Sequence, residues 1–210
     1  MKYPKFDADG LVPAIAQDAR SGRILMQAYM SKDAYEQTLE TGFAVYYSRS
    51  RKSLWRKGET SGNTQRVAAV YLDCDADSVL LKVIQTGVAC HTGQETCYHD
   101  EVKVFEQTAS ADVLYDEAAV IRDRNQTPVE GSYTNYLLAK GIDKICKKIG
   151  EETAEIIIAA KNTDNAELSG EIADLIFHIQ VLMEERGLTL EDVLTVIKDR
   201  RDSERKRNYK

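Results

Sequence analysis

The sequence predicts two domains of different class: a β-rich α+β domain over residues 1–108, then an all-α helical bundle over residues 112–210. Three observations lead there. Short β-like runs broken by Gly and Asp turns fill the first half and stop after Ala109. Apolar residues spaced three and four apart then take over for long stretches. The composition changes at the same place. Residues 1–108 hold 13 Lys and Arg against 14 Asp and Glu, residues 109–210 hold 15 against 20, and the aromatics divide 11 to 5. With 210 residues the chain is long enough for each domain to bury its own core.

In chain order, Ser31 and Gly42 bracket a helix as N-cap and C-cap. Phe43-Ala44-Val45-Tyr46-Tyr47, Arg66 to Asp73 and Ser78 to Ile84 read as strands. Beyond a boundary near Gln107 to Asp112, a helix runs from Asp112 to about Asn125 and ends before Pro128. Ser132 caps a short helix that Gly141 closes. Two long helices follow, Ile142 to Lys161 and Asp164 to Arg186, with Gly187 as the stop. Thr189 and Asp192 have the spacing of a capping box for a last helix, which runs out into the charged stretch Arg200 to Arg207.

Several function classes are excluded early. A net charge of −6 offers no electrostatic footprint for nucleic acid or an anionic membrane. No apolar run approaches the ~20 residues of a membrane span. The start, Met1 to Asp7, lacks the apolar stretch of a signal peptide, so a cytoplasmic protein is expected. Four Cys in such a chain read as metal ligands or core residues, and not as a disulfide framework.

The acids of the second half stand out by position. Glu152 and Glu155, and Glu171 and Asp174, are each three apart, on shared helix faces. Glu152 falls in the apolar stripe Ile145, Ile149, Ile156 and Ala159, and Glu171 falls between Leu168 and Leu175. A carboxylate facing a core costs several kcal/mol unless something pairs it. A solvated acidic face would give the same spacing. Two acid pairs that both interrupt apolar stripes instead suggest an oxygen-rich pocket suited to Mg²⁺, which binds substrate phosphates and keeps several waters. Lys140, Lys144, Lys147 and Lys148 precede the acids, and read either as a solvated helix face or as contacts for outer phosphates. Glu151-Glu152-x-x-Glu155 with Glu171-x-x-Asp174 resembles the signature of the all-α nucleoside-triphosphate pyrophosphohydrolases. With Ser132-Tyr133-Thr134, Gly141-Ile142-Asp143-Lys144 and Lys148-Ile149-Gly150 added, residues 112–203 resemble phosphoribosyl-ATP pyrophosphatase of histidine biosynthesis. The resemblance implies Mg²⁺ on Glu151, Glu152, Glu155, Glu171 and Asp174; of the lysines, Lys144 and Lys148 are the candidate substrate contacts.

In Asp73-Cys74-Asp75-Ala76-Asp77 the acids alternate at a strand end, so extended backbone would send all three to one side and Cys74 to the other. A solvated acidic turn and a cation site both answer to that pattern. Cys90 and Cys97 lie seven apart around His91, Thr92, Gly93 and Gln94. Three thiols with no fourth protein ligand suit an open catalytic zinc, and three buried thiols are the plain alternative. An open zinc would lower the pKa of a bound water, with His91 beside it to shuttle the proton. Cys146, next to Ile145 on a helix, reads as core. His99 reads as a turn residue, and His178 as inward or interfacial. Between these segments, Arg49, Arg51, Lys57 and the Gly58-to-Asn63 turn offer charge and backbone N–H groups to a phosphate, and Trp55 offers a face to a base.

Gly10 to Ala14, Tyr47-Ser48-Arg49-Ser50, Trp55-x-Lys57-Gly58-Glu59-x-Ser61-Gly62, Asp73 to Asp77 and Ala89-Cys90-His91-Thr92-Gly93 resemble phosphoribosyl-AMP cyclohydrolase over residues 7–106. That likeness implies zinc on Cys74, Cys90 and Cys97 across a dimer interface and Mg²⁺ on Asp73, Asp75 and Asp77; Glu59, Ser61 and Gly62, inside the matching motif, join Trp55 as candidate substrate contacts. Together the halves resemble the bifunctional cyclohydrolase–pyrophosphatase family of histidine biosynthesis. The implied protein is at least a homodimer. It acts on an ATP-derived nucleotide in the second domain, then opens its adenine ring at N1–C6 in the first. Two other readings share the residues: a housekeeping nucleotide pyrophosphohydrolase fused to a zinc deaminase-like domain, and a zinc-dependent interaction module without catalysis.

Overall fold

From Val12 to Ala16, alternate residues of Leu11–Asp18 (β1) are buried, the two-residue period of a half-buried strand. The computed structural model describes residues 2–163 and 165–208. In it β1 pairs antiparallel with Ile24–Ser31 (β2), placing Leu11 opposite Ser31. Ser31 then caps Lys32–Thr41 (α1) by accepting the Ala34 N–H, and Gly42, at φ +70°, closes the helix. Val45–Ser48 (β3) and Ser53–Arg56 (β4) form a hairpin, followed by Gln65–Leu72 (β5) and Val79–Gln85 (β6). The six strands lie in the order β4-β3-β2-β1-β6-β5, antiparallel except for β1 with β6, where Ala14 faces Val79. Val12, Ala14, Met30, Val79 and Leu81 are buried on this sheet, with Ala34 and Tyr35 of α1 in the same cluster. Thr38 of α1 accepts the Val45 N–H at 2.9 Å, which ties the helix to β3.

Tyr46 is the bulkiest fully buried side chain of this core. Its hydroxyl donates to Gln65 Oε1 at 2.7 Å, and Gln65 Nε2 donates to Gln85. Burial pushes the Tyr46 phenol well above its ordinary range. The unfolded chain therefore releases this proton near pH 10 while the folded chain keeps it. Its contribution is complete below pH ~10 and is lost above it, at about 1.4 kcal/mol per pH unit. Tyr46→Phe is expected to cost about 1–3 kcal/mol at neutral pH, because Gln65 Oε1 loses its donor, and to flatten the alkaline limb. Urea titrations at pH 7.5 and 10.5 measure both effects.

The second unit, Ser110–Lys210, is helical: Val113–Gln126 (α2), Tyr133–Lys140 (α3), Ile142–Ala159 (α4), Asn165–Glu185 (α5) and Leu190–Asn208 (α6). Asp164, the expected start of the fourth of these, lies outside the described residues. Ser132 caps α3 through the Asn135 N–H, and Gly141 closes α3 by donating to Leu137 and Leu138. Thr189 donates its N–H to Asp192 Oδ2 at 2.8 Å and accepts the Asp192 N–H at 3.3 Å, a reciprocal box at the start of α6. Ile121, Leu137, Ile145 and Val181 make the buried core, with Phe177 and Leu182 against it. Cys146 is exposed, against the expectation of a core residue. Ile145 holds the inward position, and the next residue of a helix turns about 100° away from it. No helix among the described residues is long and apolar enough to cross a membrane.

The sequence reading missed β1, β2 and β4. Pro13 and the small residues Ala14 and Ala16 weaken the β signal of β1, Gln27 interrupts β2, and β4 is short and flanked by polar residues.

Candidate functional site

Three elements build the acidic site of the second unit. Glu152 occupies the buried stripe of α4, one helical repeat from Ile145 and one from Ala159, and is itself only 4% exposed. Glu155 lies one turn on, and α5 packs against α4 so that Glu171 faces both. Carboxylate oxygens of Glu152, Glu155 and Glu171 all lie within 4.8 Å of one another. A hydrogen bond with Glu171, burial and the neighbouring charges raise the Glu155 carboxyl above its ordinary range. Glu151 turns aside to Lys148 (3.0 Å) and then Lys147 (3.1 Å), whose hydrogen bonds hold its carboxyl down at about 2. Asp174 is exposed and outside the three-carboxylate group. Lys148 Nζ bridges Glu151 and Glu152 at 3.0 Å from each. Lys144 lies with its Nζ 5.9 Å from the Tyr136 ring centroid.

The sequence reading gave no role to the pair behind Glu152. His178 is buried, with Nδ1 3.7 Å from Glu152 Oε1 and Nε2 3.1 Å from the Tyr133 hydroxyl. One signal was available: His178 follows Asp174 by four residues, and so shares its helix face.

In the first unit the loop after β6 folds back on itself. Ala89 N–H donates to Glu95 and Cys90 N–H to Gln94. Arg23 pairs with Glu95 at 2.6 Å, and the Cys97 N–H donates to Leu25, which pins the loop to β2. This loop brings Cys90 and Cys97 together. The Thr92 hydroxyl donates to Cys90 Sγ at 3.0 Å. That contact, with the Thr92 N–H next, draws the thiol down to about 6, so Cys90 is largely thiolate at neutral pH. His91 Nδ1 lies 4.0 Å and His99 Nε2 3.9 Å from the same sulfur. Lys57 is buried and faces Cys97 and Cys90. Burial lowers its pKa while the two sulfurs oppose that.

Asp73, Asp75 and Asp77 converge, with oxygens within 4.8 Å of one another. They do so on a turn and not on extended backbone as expected. β5 stops at Leu72, Ala76 takes φ +65°, and Ser78 N–H donates to Asp73 Oδ1 at 3.1 Å. The shared hydrogen bond with Asp73, then the Asp75 charge, raises the Asp77 carboxyl. Cys74 is exposed on this turn, and its sulfur joins no donor group with Cys90 and Cys97 among the described residues.

The basic segment is more structural than its composition suggests. Arg49 stacks on Tyr29, 4.0 Å from the ring centroid, and Arg51 donates to Ser48 Oγ. The half-buried Trp55 ring lies against Tyr46 at 5.1 Å. Glu59 accepts the Arg56 N–H, and Ser61 the Asn63 N–H. Gly62 N–H returns to the Gly58 carbonyl. Gly58 is required: at φ +81°, an added Cβ would sit 2.5 Å from the Asn63 backbone.

Two family models match the chain, phosphoribosyl-AMP cyclohydrolase over residues 26–99 and phosphoribosyl-ATP pyrophosphohydrolase over residues 108–201. Curated relatives cover nearly all of it. The histidine biosynthesis bifunctional protein HisIE of Bacillus subtilis is 50% identical over 93% of this chain and 94% of its own length. That of Oceanobacillus iheyensis is 49% identical over 92% and 89%, and that of Thermus thermophilus 47% over 93% and 91%. The chain belongs to the HisIE family. It is a bifunctional hydrolase of histidine biosynthesis, with the cyclohydrolase domain first and the pyrophosphohydrolase domain second. The thiol loop and the Asp turn fall in the first HisIE domain, and the acidic helices in the second.

Proposed function

We propose that the helical unit cleaves phosphoribosyl-ATP between its α- and β-phosphates, and that the first unit then opens the adenine ring of phosphoribosyl-AMP at N1–C6. The observation that carries this reading is the meeting of buried Glu152 with Glu155 and Glu171. Three carboxylates this close repel, and one is driven toward its protonated form. A hard divalent cation relieves that repulsion, so the donor set fits Mg²⁺ on Glu152, Glu155 and Glu171, with Glu151 and Asp174 at its edge. Mg²⁺ supplies charge neutralisation for the leaving pyrophosphate. The chain supplies orientation: the carboxylates fix the approach of an attacking water, and Lys148 is within reach of the outer phosphates.

In the first unit, the Cys90 thiolate and Cys97 fit zinc, with Cys74 as a third ligand from a second copy of the chain. That Cys74 forms no three-donor group with Cys90 and Cys97 among the described residues supports a shared site. Zinc supplies Lewis acidity toward the water that attacks the ring carbon. His91 is placed to accept and return a proton, and the buried Lys57 offsets the charge of the thiolates. Asp73, Asp75 and Asp77 fit a second Mg²⁺. Homodimerisation is further supported by the apolar side chains exposed on the helical unit, among them Ile157, Ile158, Ile172, Ile176 and Ile197. The four free thiols suit a reducing compartment such as the cytoplasm.

The test is a product profile of the purified chain given phosphoribosyl-ATP with Mg²⁺ and Zn²⁺. Pyrophosphate and the ring-opened product are expected together. Hydrolysis of deoxynucleoside triphosphates in preference to phosphoribosyl-ATP would overturn the substrate assignment.

A further inference from the structure

His178 sits where an apolar side chain would fill the core at lower desolvation cost. It lies on α5 one turn beyond Asp174, and both it and Glu152 are 4% exposed. Its Nδ1 is 2.8 Å from the Asp174 carbonyl oxygen and 3.7 Å from Glu152 Oε1. A carbonyl only accepts, so Nδ1 carries hydrogen; in the neutral ring, Nε2 then accepts from the Tyr133 hydroxyl at 3.1 Å. Tyr133 and Phe177 also hold the ring edge-on, with centroids 5.9 and 5.2 Å away. The imidazole is thus held by contacts with α3, α4 and α5. Lys148 Nζ meets the same Glu152 oxygen at 3.0 Å.

We infer that His178, held by Tyr133 and by its hydrogen bond to the Asp174 carbonyl, is a positioning residue whose Nδ1–H dipole, 3.7 Å from Glu152 Oε1, orients that carboxylate to hold a divalent cation with Glu155 and Glu171. The inference rests on the cation reading of this acid cluster. Groups behind a metal ligand set its direction, and their loss typically weakens metal binding about 10- to 100-fold.

The experiment is Mn²⁺ binding to the full chain, followed by the paramagnetic resonance of the free ion. The helical site is defined as the component that Glu152→Gln removes, which separates it from ions held elsewhere. His178→Leu is expected to weaken that component about 10- to 100-fold, and Tyr133→Phe several-fold in the same direction. His178→Asn places an amide N–H near the Nδ1 position and is expected to recover part of the affinity. A residue that served only to fill the core would not be rescued by a side chain this small. Wild-type Mn²⁺ affinity in both His178→Leu and Tyr133→Phe would overturn the inference. If His178→Leu does not fold, Tyr133→Phe decides alone, because it removes one hydroxyl from a half-exposed side chain. If Glu152→Gln itself changes nothing, the cation reading falls, and the inference with it.

Discussion

Cys90→Ala is expected to release pyrophosphate from phosphoribosyl-ATP at the wild-type rate and to stop at phosphoribosyl-AMP. Cys90 is a buried thiolate in a loop closed by its own backbone hydrogen bonds, so alanine removes the sulfur without removing the turn. If that sulfur holds zinc, its loss takes away several kcal/mol of transition-state stabilisation. At ~4 kcal/mol the ring-opening rate falls about a thousandfold. Ring opening by Cys90→Ala at the normal rate would refute the zinc assignment. The same protein tests whether the ligand set is shared. Mixed and re-equilibrated with Cys74→Ala, itself expected to be inactive in ring opening, it should form, if the proposed dimer shares its sulfurs, mixed dimers with one intact sulfur set each. About a quarter of wild-type ring opening should return, since half the dimers are mixed and half their sites are whole. No recovery would place all three sulfurs in one chain or none in the site.

Glu152→Gln should do the reverse. It removes one negative charge from the acid cluster while keeping the size of the side chain and an oxygen for Lys148. Phosphoribosyl-ATP hydrolysis should fall about 100- to 1,000-fold, the scale of losing ~3–4 kcal/mol of charge stabilisation. Added phosphoribosyl-AMP should still be opened. The melting temperature should change little, because the lost repulsion from Glu155 and Glu171 offsets the weakened pairing with Lys148, which keeps Glu151. Loss of both activities would point to misfolding or to coupling between the domains, and would remove Glu152 from the specific role given to it.

The helices were legible because their limits are local chemistry. Ser31, Gly42, Ser132 and Gly141 act on backbone groups within four residues, and each caps the helix the sequence assigned to it. The strands were less so. β1 shows only two alanines and a proline inside an apolar run, and its identity depends on partners elsewhere in the chain. The acid cluster was readable in outline because Glu152 breaks an apolar stripe. That Glu151 turns away while Glu171 turns in depends on Lys147, Lys148 and the docking of α5, which spacing alone does not encode. The Asp turn shows a right grouping from a wrong geometry: alternation suggested a common face, but a backbone reversal at Ala76 makes it. Lys57 read as a phosphate contact, and spacing did not show that it is buried facing the sulfurs, a fact set by where β4 ends.

The parallel pairing of β1 with β6 has a consequence during synthesis. Ala14 meets Val79 across an interval that contains every other strand of the sheet, so β1 has one open edge until residue 83 has left the ribosome. The β1–β2 hairpin can form early, but its apolar face and unpaired edge stay available to other chains in the meantime. The helical unit waits too, since α2 packs on α5 as well as on α3, but its helices satisfy their own backbone groups and leave no sheet edge open. The nascent chain is therefore most exposed to misassembly before its second half exists, and substitutions that slow closure of β6 onto β1 should reduce yield more than they reduce the stability of the finished protein.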